Sequence, residues 1–156
     1  MKDTPAISPD ARGLRAVIVS SVYHDAVTSA LVAGARAAFV AAGGQAASMR
    51  LIRAAGSFEL PVLVDAALAR GDCDLAVAVG CIVRGETVHD RVLGHAVTEA
   101  LMRSSVARGK PVGLAVLTVD TLEQAQARAG GALGNKGAEA MDAAVATANA
   151  LREARS

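Results

Sequence analysis

Apolar positions fall in two rhythms along this chain. Leu14–Val22 (LRAVIVSSV), Asp74–Val83 (DLAVAVGCIV) and Pro111–Thr118 (PVGLAVLT) are short, nearly unbroken apolar runs. Runs of that length predict strands buried on both faces. Gln45–Ala54 (QAASMRLIRA) is a weaker fourth strand. Between these runs the apolar residues take helical spacing. Asp25–Ala42 is stopped by Gly43-Gly44, and Glu59–Arg70 carries Pro61 in its first turn, where a missing N–H costs little. Asp90–Ala107 is ended by Gly109. Leu122–Ala129 is opened by Thr121 with Gln124 three residues on, the spacing of a capping box, and Gly130-Gly131 breaks it. Lys136–Arg152 is the last helix. Strand alternates with helix throughout, so the expected class is α/β, a mostly parallel sheet covered by helices. Residues 1–12, with Pro5 and Pro9, read as an N-terminal arm ahead of one domain over 13–156.

Composition narrows this picture. The net charge is +1, which gives no pull toward nucleic acid or an anionic membrane. No apolar run reaches the roughly 18 residues of a membrane span, and MKDTPAISPDARG lacks the apolar region of a signal peptide. The two cysteines, Cys73 and Cys81, match neither a disulfide framework nor a zinc pattern, so a cytoplasmic location is expected. Hydrophobic residues make up 53% of the chain, yet the aromatics are only Tyr23, Phe39 and Phe58. The core must therefore be built from Ala, Val and Leu. The high apolar fraction also fits surface buried between subunits.

In an open parallel sheet, ligands bind beyond the carboxyl ends of the strands. Those ends are Tyr23-His24-Asp25, Gly56-Ser57-Phe58-Glu59, Arg84 to His89, and Thr118-Val119-Asp120. Polar strand-to-helix loops explain Ser57, Thr87 and Asp120 without a ligand. They do not explain why the scarce Tyr23 and Phe58 stand in loops. In the third loop, Gly85 permits a tight turn, and Glu86 and Thr87 lie near a helix start that attracts anions. Thr87 is either a phosphate contact or a simple helix cap. His89 is either a proton carrier near neutral pH or a surface residue of a first helical turn. His24 and His95 read as structural, and Cys81 as an inert core thiol. Gly130–Gly137 (GGALGNKG) is not a nucleotide loop: it follows a helix, and Lys136 is not followed by Ser or Thr. Arg128 suits the end of its short helix.

Taken together, these residues resemble the lumazine synthase family from about Leu14 to Leu151. The resemblance is carried by Gly56-Ser57-Phe58-Glu59-Leu60-Pro61 and by Gly80-Cys81-Ile82-Val83-Arg84-Gly85-Glu86-Thr87 with His89. Leu117-Thr118 with Asp120, Glu123-Gln124-Ala125, Arg128-Ala129-Gly130 and Gly134-Asn135-Lys136-Gly137 extend it. It implies a flavodoxin-like three-layer sandwich with a four-stranded parallel sheet. It implies a homo-oligomer, a pentamer with active sites between neighbouring subunits, stacked as a decamer or closed as an icosahedral shell in some members. The implied reaction condenses 5-amino-6-(ribitylamino)uracil with 3,4-dihydroxy-2-butanone 4-phosphate, and no cofactor is implied. By position, Tyr23 stacks on the pyrimidine. Ser57, Phe58 and Glu59 bind the ribitylaminouracil, and Cys81, Ile82 and Val83 meet the pyrimidine edge with backbone groups. Leu114 closes the pocket from the adjacent subunit. Glu86, Thr87 and Arg128 take the phosphate, and His89 moves the proton. Asp90-Arg91-Val92 stands where the family has an aromatic, an aspartate and an aromatic. Gly94-His95 replaces an Asn-Glu pair, Leu114 a phenylalanine and Ala132 a lysine. The departures after His89 motivate an alternative: a paralogue that binds flavin or lumazine, or forms a shell, without catalysis.

Overall fold

A computed structural model describes residues 7–156. Its main sheet is parallel, with strand order β2-β1-β3-β4, where β1 is Ala16–Ser21, β2 Met49–Ala54, β3 Leu75–Val83 and β4 Val112–Val119. Helices α1 (Asp25–Ala41), α2 (Leu60–Ala69), α3 (His89–Arg108), α4 (Leu122–Arg128) and α5 (Lys136–Ala154) connect or follow the strands. Alternation along β1 and β3 divides the core in two. Ile18, Leu75, Val77 and Val79 pack against α1 and α5, with Leu31, Phe39, Met141 and Val145. Val17, Val19, Ala76 and Ala78 face α2 and α3, with Leu60, Val64, Val97 and Leu101. The result is the expected three-layer α/β sandwich, flavodoxin-like in arrangement.

Positions 1–6 of the expected arm lie outside the described residues. Beyond them the chain meets its own body. The Asp10 N–H donates to Asn149 Oδ1 at 3.0 Å, Asn149 Nδ2 donates to the Asp10 carbonyl, and Ala11 is buried under the end of α1.

Two expectations about the strands need correction. β4 is not buried on both faces. Gly113, Ala115, Leu117 and Val119 are covered by the α5 side, while Leu114 (48% exposed) and Thr118 are open. β4 is the sheet's edge, and α3 covers that face only in part. The Gly-rich stretch is also more than a break. Ala129–Gly131 (β5) and Gly134–Asn135 (β6) pair as a small antiparallel hairpin, with Gly130 and Gly134 at positive φ. Strands this short carry no periodicity to read.

Asn135 locks this hairpin to the fold. Its Oδ1 accepts the N–H groups of Gly137 and Ala138, capping α5, and its Nδ2 donates to the Ala30 carbonyl at 3.0 Å. Gly34 makes the space, since any Cβ there would collide with the Asn135 amide. Asn135→Ala removes a cap and the second donor to an α1 carbonyl that the helix itself already engages. It is expected to destabilise by ~2 kcal/mol in chemical denaturation. An unchanged unfolding midpoint would show that the amide contributes nothing there. Among the described residues, no helix is long and apolar enough to cross a membrane.

Candidate active site

The strand order places the topological switch between β1 and β3, where crossovers leave in opposite directions. A cavity of about 480 Å³ opens at that point, beyond the carboxyl ends of the strands. Tyr23 comes from the turn after β1. Its N–H donates to the hydroxyl of buried Ser21 at 3.1 Å, and His24 then turns the chain with φ 51° before α1 begins. A left-handed histidine is uncommon and costs on the order of 1 kcal/mol. The sequence offered no sign of it.

The second wall is the turn after β2. Gly56 is extended, and a Cβ there would lie 3.0 Å from Glu59 Oε2 and 3.6 Å from the Tyr23 ring. This glycine therefore lets the Glu59 carboxylate and the Tyr23 ring close over the same backbone. Gly80 does the same for Ser57, whose hydroxyl would lie 2.8 Å from a Cβ at position 80. Phe58 is 69% exposed and Tyr23 is 64% exposed, whereas Phe39 is fully buried. Two of the chain's three aromatics thus stand open to solvent around one cavity. Exposing rings costs hydrophobic free energy that only a ligand or partner would return.

The third wall is the carboxyl end of β3 and the start of α3. Cys81, Ile82 and Val83 run in register with Leu117, Thr118 and Val119 of β4, and the ladder extends one step further as Arg84 N–H donates to the Val119 carbonyl. Burial raises the pKa of the Cys81 thiol, which keeps it protonated and supports its reading as a core residue rather than a nucleophile. Gly85 and Thr87 follow, and the Thr87 hydroxyl accepts the His89 N–H at 3.3 Å. Thr87 therefore both tethers the helix start and borders the cavity. The helix begins at His89, one residue earlier than its spacing suggested.

All the expected site residues line this cavity except Glu86, Leu114 and Arg128. Glu86 is exposed on the adjoining loop and does not face the cavity. Leu114 and Arg128 border a separate groove on β4 and α4, which shares no lining residue with the cavity. Leu114 also borders a groove of about 510 Å³ along β4 between α3 and α5. Arg128 donates one N–H to the Gln124 carbonyl at 2.9 Å, as suits the end of α4, and has no carboxylate partner among the described residues. The capping residue before it behaves as its spacing predicts: the Gln124 N–H donates to Thr121 Oγ1.

Sequence reasoning missed Gly56, Asp90 and Leu93 as wall residues. Leu93 was within reach, because it stands four residues after His89 on the same helix face. The lining side chains include the carboxylates Glu59 and Asp90, the His89 imidazole and the Tyr23 phenol, but no lysine or arginine. Among the described residues, no three His, Cys, Asp or Glu side chains converge in a metal-ligating group. The arrangement can hold a flat, donor-rich molecule between aromatic and backbone surfaces, with an acid–base group at one side.

Comparison with known proteins points the same way. The family described as 6,7-dimethyl-8-ribityllumazine synthase matches residues 13–152. A 6,7-dimethyl-8-ribityllumazine synthase of Leifsonia xyli is 47% identical over 148 residues, covering 94% of this chain and 91% of that protein. Proteins of the same name from Campylobacter curvus and Thermus thermophilus are 41% and 39% identical, each covering at least 85% of both chains.

Proposed function

Because the chain belongs to the 6,7-dimethyl-8-ribityllumazine synthase family, we propose that it condenses 5-amino-6-(ribitylamino)uracil with 3,4-dihydroxy-2-butanone 4-phosphate. The products are 6,7-dimethyl-8-ribityllumazine, phosphate and water, a step of riboflavin biosynthesis. The observation that carries the residue assignments is the cavity at the switch point, ringed by exposed Tyr23 and Phe58 with His89 at its edge.

The pyrimidine lies against Tyr23, with its polar edge on the backbone of Cys81–Val83. Glu59 accepts hydrogen bonds from ribityl hydroxyls beside Ser57 and Phe58. The phosphate sits at the Gly85–Thr87 turn, where the start of α3 supplies backbone N–H groups and a favourable dipole. The free amine attacks the ketone and expels water to form an imine. Phosphate then leaves as an enol forms, the enol tautomerises to a ketone, and the ribityl-bearing amine adds to that carbonyl and closes the ring with loss of a second water. His89 carries protons between these steps. Holding the two reactants together supplies most of the acceleration, an effect that reaches ~7–11 kcal/mol in well-oriented systems.

A phosphate dianion needs a cation, and the cavity wall has none. Arg128 can supply that charge, and Leu114 an apolar closure, only from a second copy of the chain, since within one chain they border a different groove. A head-to-tail contact of that kind builds a closed ring when its rotation returns to the first copy, as the family resemblance implies. The reading is therefore a homo-oligomer, a pentamer with each site between neighbours, working in the cytoplasm. Mixing the purified protein with both substrates is expected to release phosphate and the fluorescent lumazine in equal amounts. Folded protein that yields no lumazine at substrate saturation would refute the assignment.

A further inference from the structure

We propose that Asp90 is a second carboxylate acceptor for the aminouracil substrate, an inference that rests on the reading of the site given above. Asp90 is half-buried in the first turn of α3 and lines the cavity beside His89 and Leu93. The helix start is held in place against the sheet. A Cβ on Gly94 would lie 3.2 Å from Thr118 Oγ1, so α3 runs close to β4 here. The wall formed by positions 89, 90 and 93 is thus part of the packed body.

Among the described aspartates, Asp90 and Asp142 have no ion-pair partner, and of these two Asp90 stands on the cavity wall. Asp10, Asp25, Asp65, Asp72, Asp74 and Asp120 each pair with an arginine. Among the described residues, no ion pair or side-chain hydrogen bond engages Asp90. A carboxylate in a first helical turn gains from the dipole whether or not it faces a cavity. One that is half-shielded from water, on a cavity wall, also keeps acceptor sites for which a ligand can compete.

Charge identifies which ligand. Glu59 and Asp90 make the wall negative, with no lysine or arginine among the lining residues. An anion placed beside them would be repelled, more strongly as water is excluded. A neutral molecule rich in N–H and O–H groups meets the opposite situation, because hydrogen bonds to a charged acceptor are the stronger kind. Of the two substrates, the aminouracil is neutral and carries ring N–H groups, an amine and hydroxyls; the other is a phosphate ester. Asp90 therefore binds the aminouracil and keeps the phosphate at the rim.

The test is calorimetric titration of the aminouracil alone into wild type, Asp90→Ala, Asp90→Asn and Asp90→Glu. Kd is expected to rise ~10-fold in the alanine and asparagine variants, and Asp90→Glu to recover part of the loss. KM for the butanone phosphate, measured by lumazine formation, should change by less than about twofold. Asp90→Asn keeps the side chain's size, so it stands in if the alanine variant folds poorly. An unchanged Kd in the variants, or equal rises for both substrates as a merely loosened helix start would give, overturns the inference. Wild type that binds the aminouracil but forms no lumazine refutes the assigned reaction and leaves this inference standing.

Discussion

His89→Ala protein is expected to form the lumazine ~10²-fold or more slowly than wild type, within the range of one positioned acid–base group. The loss should fall mainly on kcat, because His89 borders the cavity without being enclosed by it. Arg128→Ala should differ, raising KM for the butanone phosphate through loss of a charge-assisted contact. The two variants together test where the sites lie. Each alone is slow. Dissociated, mixed and reassembled, they should regain up to about a quarter of wild-type activity, because random neighbours in a ring place intact His89 beside intact Arg128 at that frequency. Mixtures no faster than their components would show that one chain supplies both residues. A His89→Ala enzyme with wild-type kcat would remove the imidazole from the chemistry.

Gly137→Ala is expected to cost ~3 kcal/mol and lower Tm by ~10 °C. By helix propensity alone the change should help, since alanine is favoured over glycine inside a helix by about 1 kcal/mol. Packing reverses the sign. A Cβ on Gly137 would collide with the Leu31 carbonyl and with Leu31 Cα at 2.9 Å, which are backbone atoms of α1 that no rotamer change can move. The N-cap from Asn135 and the docking of α5 on α1 depend on that approach. Gly71→Ala is the matched control, since a Cβ there meets nothing within 4 Å. A scanning-calorimetry trace in which Gly137→Ala melts with Gly71→Ala would mean that α1 and α5 separate without penalty.

Much of this molecule is readable because its signals are local. Unbroken apolar runs at β1 and β3 require two covered faces, and helical runs between them require a parallel sheet. The Thr121–Gln124 cap forms as its spacing dictates. The cluster after β3 reads as a site because any parallel sheet brings its strand-to-helix turns to one edge, and scarce aromatics in two of those turns point to that edge. Ordered motifs then supplied a family, and similarity over residues 13–152 supports it.

Other features depend on neighbours distant in sequence. PVGLAVLT is apolar at nearly every position, so nothing in it distinguishes a central strand from the edge strand it forms. Leu114 and Thr118 stay exposed because β4 is the edge strand and α3 covers that face only in part. His24 adopts a left-handed turn that no residue pattern announces. Asp90 looks like an ordinary first-turn acid until the cavity wall is seen. Periodicity and turn chemistry therefore settle the class of fold, the order of its elements and the loops that hold the chemistry, since each rests on contacts within a few residues. Which faces stay uncovered, and which expected ligands a single chain cannot bring together, follow from packing between elements far apart in the chain. That is why Arg128 and Leu114, plain in the motif, lie in space on a different groove from the site they would complete.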